Sequence, residues 1–125
     1  MAKIKSYRDL QVWQRAVDFS VMTYQITNSF PQSEIYGLTN QMRRAAVSIA
    51  SNIAEGHGRS DPEFARFLTI SRGSLAELET QLEIARRIGC LSSDSFTQLD
   101  NEANVLGRQL NVLWQHVTRK TNKSQ

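Results

Sequence analysis

Ala45-Ala46-Val47-Ser48-Ile49-Ala50-Ser51-Asn52-Ile53-Ala54 is a run without charge, glycine or proline, and Glu55-Gly56-His57-Gly58 follows at once. Small helix formers in an uncharged run read as a buried helical segment, and paired glycines can take the left-handed backbone that ends one. Leu38, Met42, Ala45, Ile49 and Ile53 recur at helical spacing as one apolar seam, with Ala46, Ala50 and Ala54 as a second seam beside it. A third row, Gln41, Ala45, Ser48, Asn52 and Glu55, keeps the spacing and is mostly polar. A helix on the outside of a small bundle needs only one apolar stripe. This one has almost no face suited to water, so its slim side is expected to meet a second copy of the chain. Ala46, Ser48, Ala50, Ser51, Asn52, Ala54, Glu55 and Gly56 are assigned to that contact, together with Gly73.

The chain on either side is helical in pattern. Downstream, Ser60 or Asp61 can cap a helix, Pro62 suits its first position and Glu63 its first turn. A third helix is predicted over about 62–88, with Phe64, Phe67, Leu68, Ser71, Leu75, Leu78, Leu82, Ala85 and Ile88 inward and Gly89 as its C-terminal stop. A fourth follows over about 94–119, capped by Ser92, Ser93 or Asp94. Its stripe is the cleanest in the chain: Phe96, Leu99, Ala103, Leu106, Leu110, Leu113 and Val117. The polar tail from Thr118, with Arg119, Lys120 and Lys123, is expected to fray. Upstream, Asp9 is the expected cap of a first helix over about 10–27. Leu10, Trp13, Val17, Val21 and Tyr24 form one stripe there, and Val12, Ala16, Phe19, Thr23 and Ile26 an adjacent one. Pro31 and its polar neighbours end that helix, and helix two is predicted over about 34–55.

Four helices, short connections and no strand pattern define an all-α fold, an antiparallel up-down-up-down four-helix bundle forming one domain over residues 1–125. A hairpin of helices two and three through the glycine turn sets Ile53 opposite Phe64, Ile49 opposite Leu68, Met42 opposite Leu75 and Leu38 opposite Leu78. The same register places Arg43 and Arg44 beside Gly73 and Glu77 as structural ion pairs. Gly73, costly inside a helix, is expected to serve close approach or to make room for an arginine.

The composition excludes several classes. With 125 residues, 40% hydrophobic and 22% charged, the chain is an ordinary globular domain, and no run reaches the roughly 18 apolar residues of a membrane span. Met1-Ala2-Lys3-Ile4-Lys5 has no apolar signal core behind it, which points to the cytoplasm. Cys90 is the only cysteine, so neither an internal disulfide nor a thiolate cluster can form. His57 and His116 stand alone, no Glu-x-x-His pair occurs, and Ser48, Ser71 and Ser74 lack a histidine base. Glu79 and Glu83 share a helix face as a solvated surface. No metal, cofactor, small-molecule substrate or enzymatic activity is expected. A net charge of +3 decides little by itself. The basic residues still offer an alternative: Lys3, Lys5 and Arg8 form an arm, and Arg59, Arg66, Arg72, Arg86 and Arg87 are candidate nucleic-acid contacts if an oligomer repeats them around an axis.

Leu10-Gln11-Val12-Trp13-Gln14-Arg15-Ala16, Arg43-Arg44-Ala45-Ala46, Ser48–Gly56 and Gly73-Ser74-Leu75-Ala76-Glu77-Leu78-Glu79-Thr80 together resemble the 23S rRNA-intervening-sequence protein family of four-helix bundles. The resemblance covers nearly the whole chain and implies a cytosolic bacterial homopentamer. It implies no settled activity; an RNA connection comes only from members encoded within insertions of ribosomal RNA genes. The family also looks like the accessory proteins of diversity-generating retroelements, basic pentameric bundles that bind nucleic acid and a reverse transcriptase. The expected function is therefore a non-enzymatic, homo-oligomeric binding or scaffolding protein. The alternative is RNA or DNA binding without sequence specificity.

Overall fold

The computed structural model describes residues 5–124, with side chains through Lys120, so Lys3 of the basic arm and the side chain of Lys123 lie outside the described residues. Four helices carry the chain: α1 (Gln11–Thr27), α2 (Asn40–Gly56), α3 (Asp61–Arg87) and α4 (Ser93–Ser124). Each packs against its neighbours in sequence, and α4 closes on α1, which makes an up-down-up-down bundle. The α2/α3 interface is the most extensive and the α1/α4 seam the slimmest.

Local signals set several ends where they were expected. Ser60 accepts a hydrogen bond from the backbone N–H of Glu63 and Pro62 occupies the first turn, so α3 starts sharply. Gly89, at φ 83°, lets the Cys90 and Leu91 amides return to the carbonyl of Ala85 and closes α3.

Other ends differ. Asp9 does not cap α1; its carboxylate accepts from the Lys5 and Ser6 amides and closes a capping box with Ser6 around a short 3-10 turn, Tyr7–Asp9. Leu10 is extended, and α1 begins one residue later. Helix two is not continuous from residue 34. A 3-10 turn (Gln32–Glu34) and a wide π-type turn (Ile35–Thr39) precede it, broken at Gly37 (φ −106°, ψ −110°), and the Glu34 carboxylate accepts from the Leu38 amide across the break. Only the second of the paired glycines is left-handed: Gly58 has φ 91°, whereas Gly56 ends α2 in helical form. The expected frayed tail is helical through Ser124.

The core holds Met42, Ile49 and Ile53 from α2, Leu68, Leu78 and Leu82 from α3, Leu99, Leu106 and Leu110 from α4, and Phe19 from α1. Each buried aliphatic chain of this size contributes roughly 1.5–3 kcal/mol. Of the two α1 stripes, the one with Val12, Ala16, Phe19 and Thr23 lies inside, while Val21 and Tyr24 of the other are exposed. Threonine is tolerated inside because its hydroxyl finds a carbonyl one turn back: Thr23 donates to Phe19 at 2.8 Å and Thr27 to Thr23 at 2.7 Å.

The α2/α3 register is shifted by about a turn from the expected one. Ser71 donates to the carbonyl of Ile49 at 2.9 Å, and Ser48 meets Ser74 at 2.9 Å. Side chains on both helices lean toward their own N-termini, away from the turn on α2 and toward it on α3. Contacting residues therefore both carry higher numbers than backbone levels suggest.

Candidate functional site

The exposed stripe of α1 and the outer edge of α2 border a groove of 330 Å³. Trp13, Val17 and Val21 line one wall and Val47, Ala50, Ser51 and Ala54 the other. Tyr7 closes its end, packing edge-on against Trp13 with ring centroids 5.2 Å apart, and the Arg8 guanidinium lies over both rings. Small residues on α2 let α1 approach, and this is where the alanine seam goes. Ala46 is fully buried and Ala50 only 9% exposed beneath α1, which corrects the expectation that a second copy must cover the seam. Ser51 and Val47 remain exposed at the rim and Ala54 is half-buried.

The polar row of α2 turns toward α3. Asn52 donates through Nδ2 to the carbonyl of Ser48 at 2.8 Å and to its Oγ at 3.0 Å, so Asn52, Ser48 and Ser74 form one linked set. Gly56 packs where a Cβ would lie 2.6 Å from Phe67 Cβ, so its role is close approach rather than a left-handed turn. Gly73 has the reverse outcome: it is exposed and a Cβ there would meet nothing, so within the chain it admits neither a helix nor an arginine.

The expected Arg43–Glu77 and Arg44–Glu77 ion pairs are absent. Arg43 turns to α1, donating to Thr27 Oγ1 at 2.9 Å and Asn28 Oδ1 at 3.0 Å with its guanidinium 4.8 Å from the centre of the Tyr24 ring. Glu77 accepts from Gln81 Nε2 at 3.2 Å. Arg44 and Glu77 instead line one polar groove with Tyr36, whose side chain is 93% exposed.

The five arginines assigned to nucleic acid do not form one patch. Arg59 is held by Glu55 at 3.1 Å and Glu63 at 3.5 Å, while Glu83 pairs with both Arg86 and Arg87 at the opposite end of α3. Arg66 lies over Phe67, and Arg72 over Trp114 at 4.7 Å. Trp114 Nε1 donates to Thr69 Oγ1 at 3.1 Å, which fixes the ring beneath Arg72. On the α4 side of that contact stands Arg108, which the reading of the sequence passed over. The signal was present in the order of charges along α4.

Burial, and then the charge of Asp100, raises the pKa of the Glu79 carboxyl in the groove between α3 and α4. His57 packs edge-on against Phe64, and His116 lines the α1/α4 groove. Among the described residues, no three His, Cys, Asp or Glu side chains converge as a metal site would require, and no helix is long and apolar enough to cross a membrane.

A family model described as 23S rRNA-intervening sequence protein matches residues 8–112. No curated protein matches. Among solved structures, the chain is similar to a protein of unknown function from the S23 ribosomal protein family of Bacteroides thetaiotaomicron. The two are 20% identical, the match covers 83% of this chain and 95% of the other, and the TM-score is 0.75. At that identity the likeness concerns the fold.

Proposed function

The chain belongs to the 23S rRNA-intervening sequence protein family, and from that premise we propose that it is a non-enzymatic cytoplasmic bundle that self-associates and serves as a binding or scaffolding ring. The observation that carries this reading is the α1/α2 groove. Its floor is apolar, and Val21 and Val47 stand exposed along it. An apolar strip rimmed by polar residues is where a soluble bundle meets a protein partner. A homo-oligomer supplies that partner with no further component, and the family resemblance sets the proposed number of copies at five. Sedimentation tests it: the wild-type protein at tens of micromolar should run as an oligomer, and Val47→Glu, at the exposed rim of the groove, should run as a smaller species with its helix content kept. A monomeric wild type overturns the reading.

Nucleic-acid binding, which would match the likeness to retroelement accessory proteins, is the second reading. One observation favours it. From Ala103 to the end of α4 the helix carries arginine and lysine and no carboxylate. Arg59, Arg86 and Arg87, which are neutralised within the chain, no longer belong to that proposal.

A further inference from the structure

Helix α4 separates its charges. Asp94, Asp100 and Glu102 lie in its first part and Arg108, Arg119, Lys120 and Lys123 in the rest. The helix dipole favours cations near the C-terminus, but its effect fades within the last turn, and Arg108 lies about four turns before Ser124. Asn104, Arg108, Asn111, Gln115 and Arg119 form an outward row on α4, a carboxylate-free face about 22 Å long at 1.5 Å per residue.

Between this row and α3 runs a groove of 420 Å³. Arg72 borders it from α3 and Arg108 from α4, with Asn104 and Asn111 one turn to either side of Arg108. Gly107 adds no side chain between them; a Cβ there would come within 3.4 Å of Leu75 Cδ2 on the floor. Neither Arg72 nor Arg108 forms an ion pair with a described residue, in contrast to Arg59, Arg86 and Arg87. Arg72 is held in place by Trp114 instead. Glu79 lies at the other end of the groove, near Asp100, so an anion belongs at the Arg72–Arg108 end.

We propose that this groove binds the phosphates of a single-stranded nucleic acid, with Arg72 and Arg108 taking one phosphate from two sides and Asn104 and Asn111 donating amide hydrogens to the adjoining backbone. The proposal rests on the second reading above and gives it a location. Arginine suits the role because its planar fork matches phosphate oxygens. A narrow basic groove beside an aromatic ring suits one strand, and the carboxylate-free row continues past the groove for a backbone to follow.

The test is fluorescence anisotropy of a short labelled single-stranded oligonucleotide over a salt series. Arg108→Gln, at an exposed position, should weaken binding about fivefold or more. The Arg72→Gln/Arg108→Gln double variant should flatten the log–log salt slope by about 0.7, the value for one phosphate no longer neutralised on a single strand. Arg72→Lys, which keeps the charge and loses the planar fork, should bind more weakly than the wild type and more tightly than Arg72→Gln. Arg87→Gln, at the other end of α3, should bind as the wild type does. No binding by the wild type at low salt removes the second reading and the groove together. Binding that ignores the groove variants, or falls equally with Arg87→Gln, removes the groove alone. Competition by inorganic phosphate as effective as unlabelled oligonucleotide, or tighter binding of a duplex, overturns the assignment to a single strand.

Discussion

Ser71 donates its hydroxyl hydrogen to the backbone carbonyl of Ile49 at 2.9 Å, inside the interface of α3 with α2, and both residues are fully buried. The carbonyl is the one that Ile53 uses within α2 in the ordinary helical pattern, so the hydroxyl takes its second lone pair. It fixes one helix against the other lengthwise. Ser71→Ala should lower unfolding free energy by about 1 kcal/mol, the net value of such a bond. Urea denaturation followed by circular dichroism measures it, and an unchanged midpoint would show that packing alone sets the register.

Two glycines offer opposite outcomes for one substitution. Gly73→Ala puts a methyl into open space on a helix and should raise stability by about 0.5–1 kcal/mol. Gly56→Ala forces a methyl against Phe67 Cβ, which cannot swing away, and should cost about 1–3 kcal/mol. Thermal melts of the pair give the sign directly. A loss of assembly mass in Gly73→Ala would place residue 73 against a neighbouring copy.

Adjacent arginines should differ as sharply. Arg43 makes two side-chain hydrogen bonds and covers the Tyr24 ring, whereas Arg44 lies along an open groove. Arg43→Ala should cost about 1–2 kcal/mol and Arg44→Ala less than about 0.5, as for surface changes generally. Equal losses in denaturant midpoint would restore a structural role for Arg44.

Glu79 predicts a pH dependence. Its carboxyl pKa is raised from 4.5 in the folded chain, so the folded state holds its proton to higher pH than the unfolded state does. Ionisation then disfavours folding: the penalty is absent below about pH 4, grows as pH rises through the unfolded and folded pKa values, and is fully present near neutrality. Glu79→Gln should therefore raise the melting temperature near pH 7 and leave it unchanged near pH 4. A gain of equal size at both pH values would mean that the effect is not one of charge.

Local signals in the chain were legible where they act within one turn. The α3 boundaries followed from Ser60, Pro62, Glu63 and Gly89, each of which makes its contact inside that turn. The α4 core stripe was equally plain, since Leu99, Ala103, Leu106 and Leu110 all lie inside. The candidate site was less legible. Ala46, Ala50 and Ala54 suggest a contact with another copy, yet Ala46 is fully buried within the chain and Ala50 nearly so, beside α1. An alanine seam announces close approach and does not say which helix approaches. The arginines were missed for a similar reason: the partner of a long, flexible side chain depends on which carboxylates the packing brings within reach. Arg86 and Arg87 meet Glu83 on their own helix, while Arg72 meets Trp114 across the bundle.

By itself the sequence determined that there are four helices, that they pack antiparallel, and where glycine and proline stop or start them. Those outcomes depend on backbone geometry and apolar spacing that each segment carries alone. Tertiary structure decided which α1 stripe turns inward, the lengthwise setting of α2 against α3, and which arginines stay unpaired. An apolar arc wider than one helix contact permits several rotations about the axis. Only the simultaneous fit of each helix against two neighbours selects one, and with it the side chains left to face a partner.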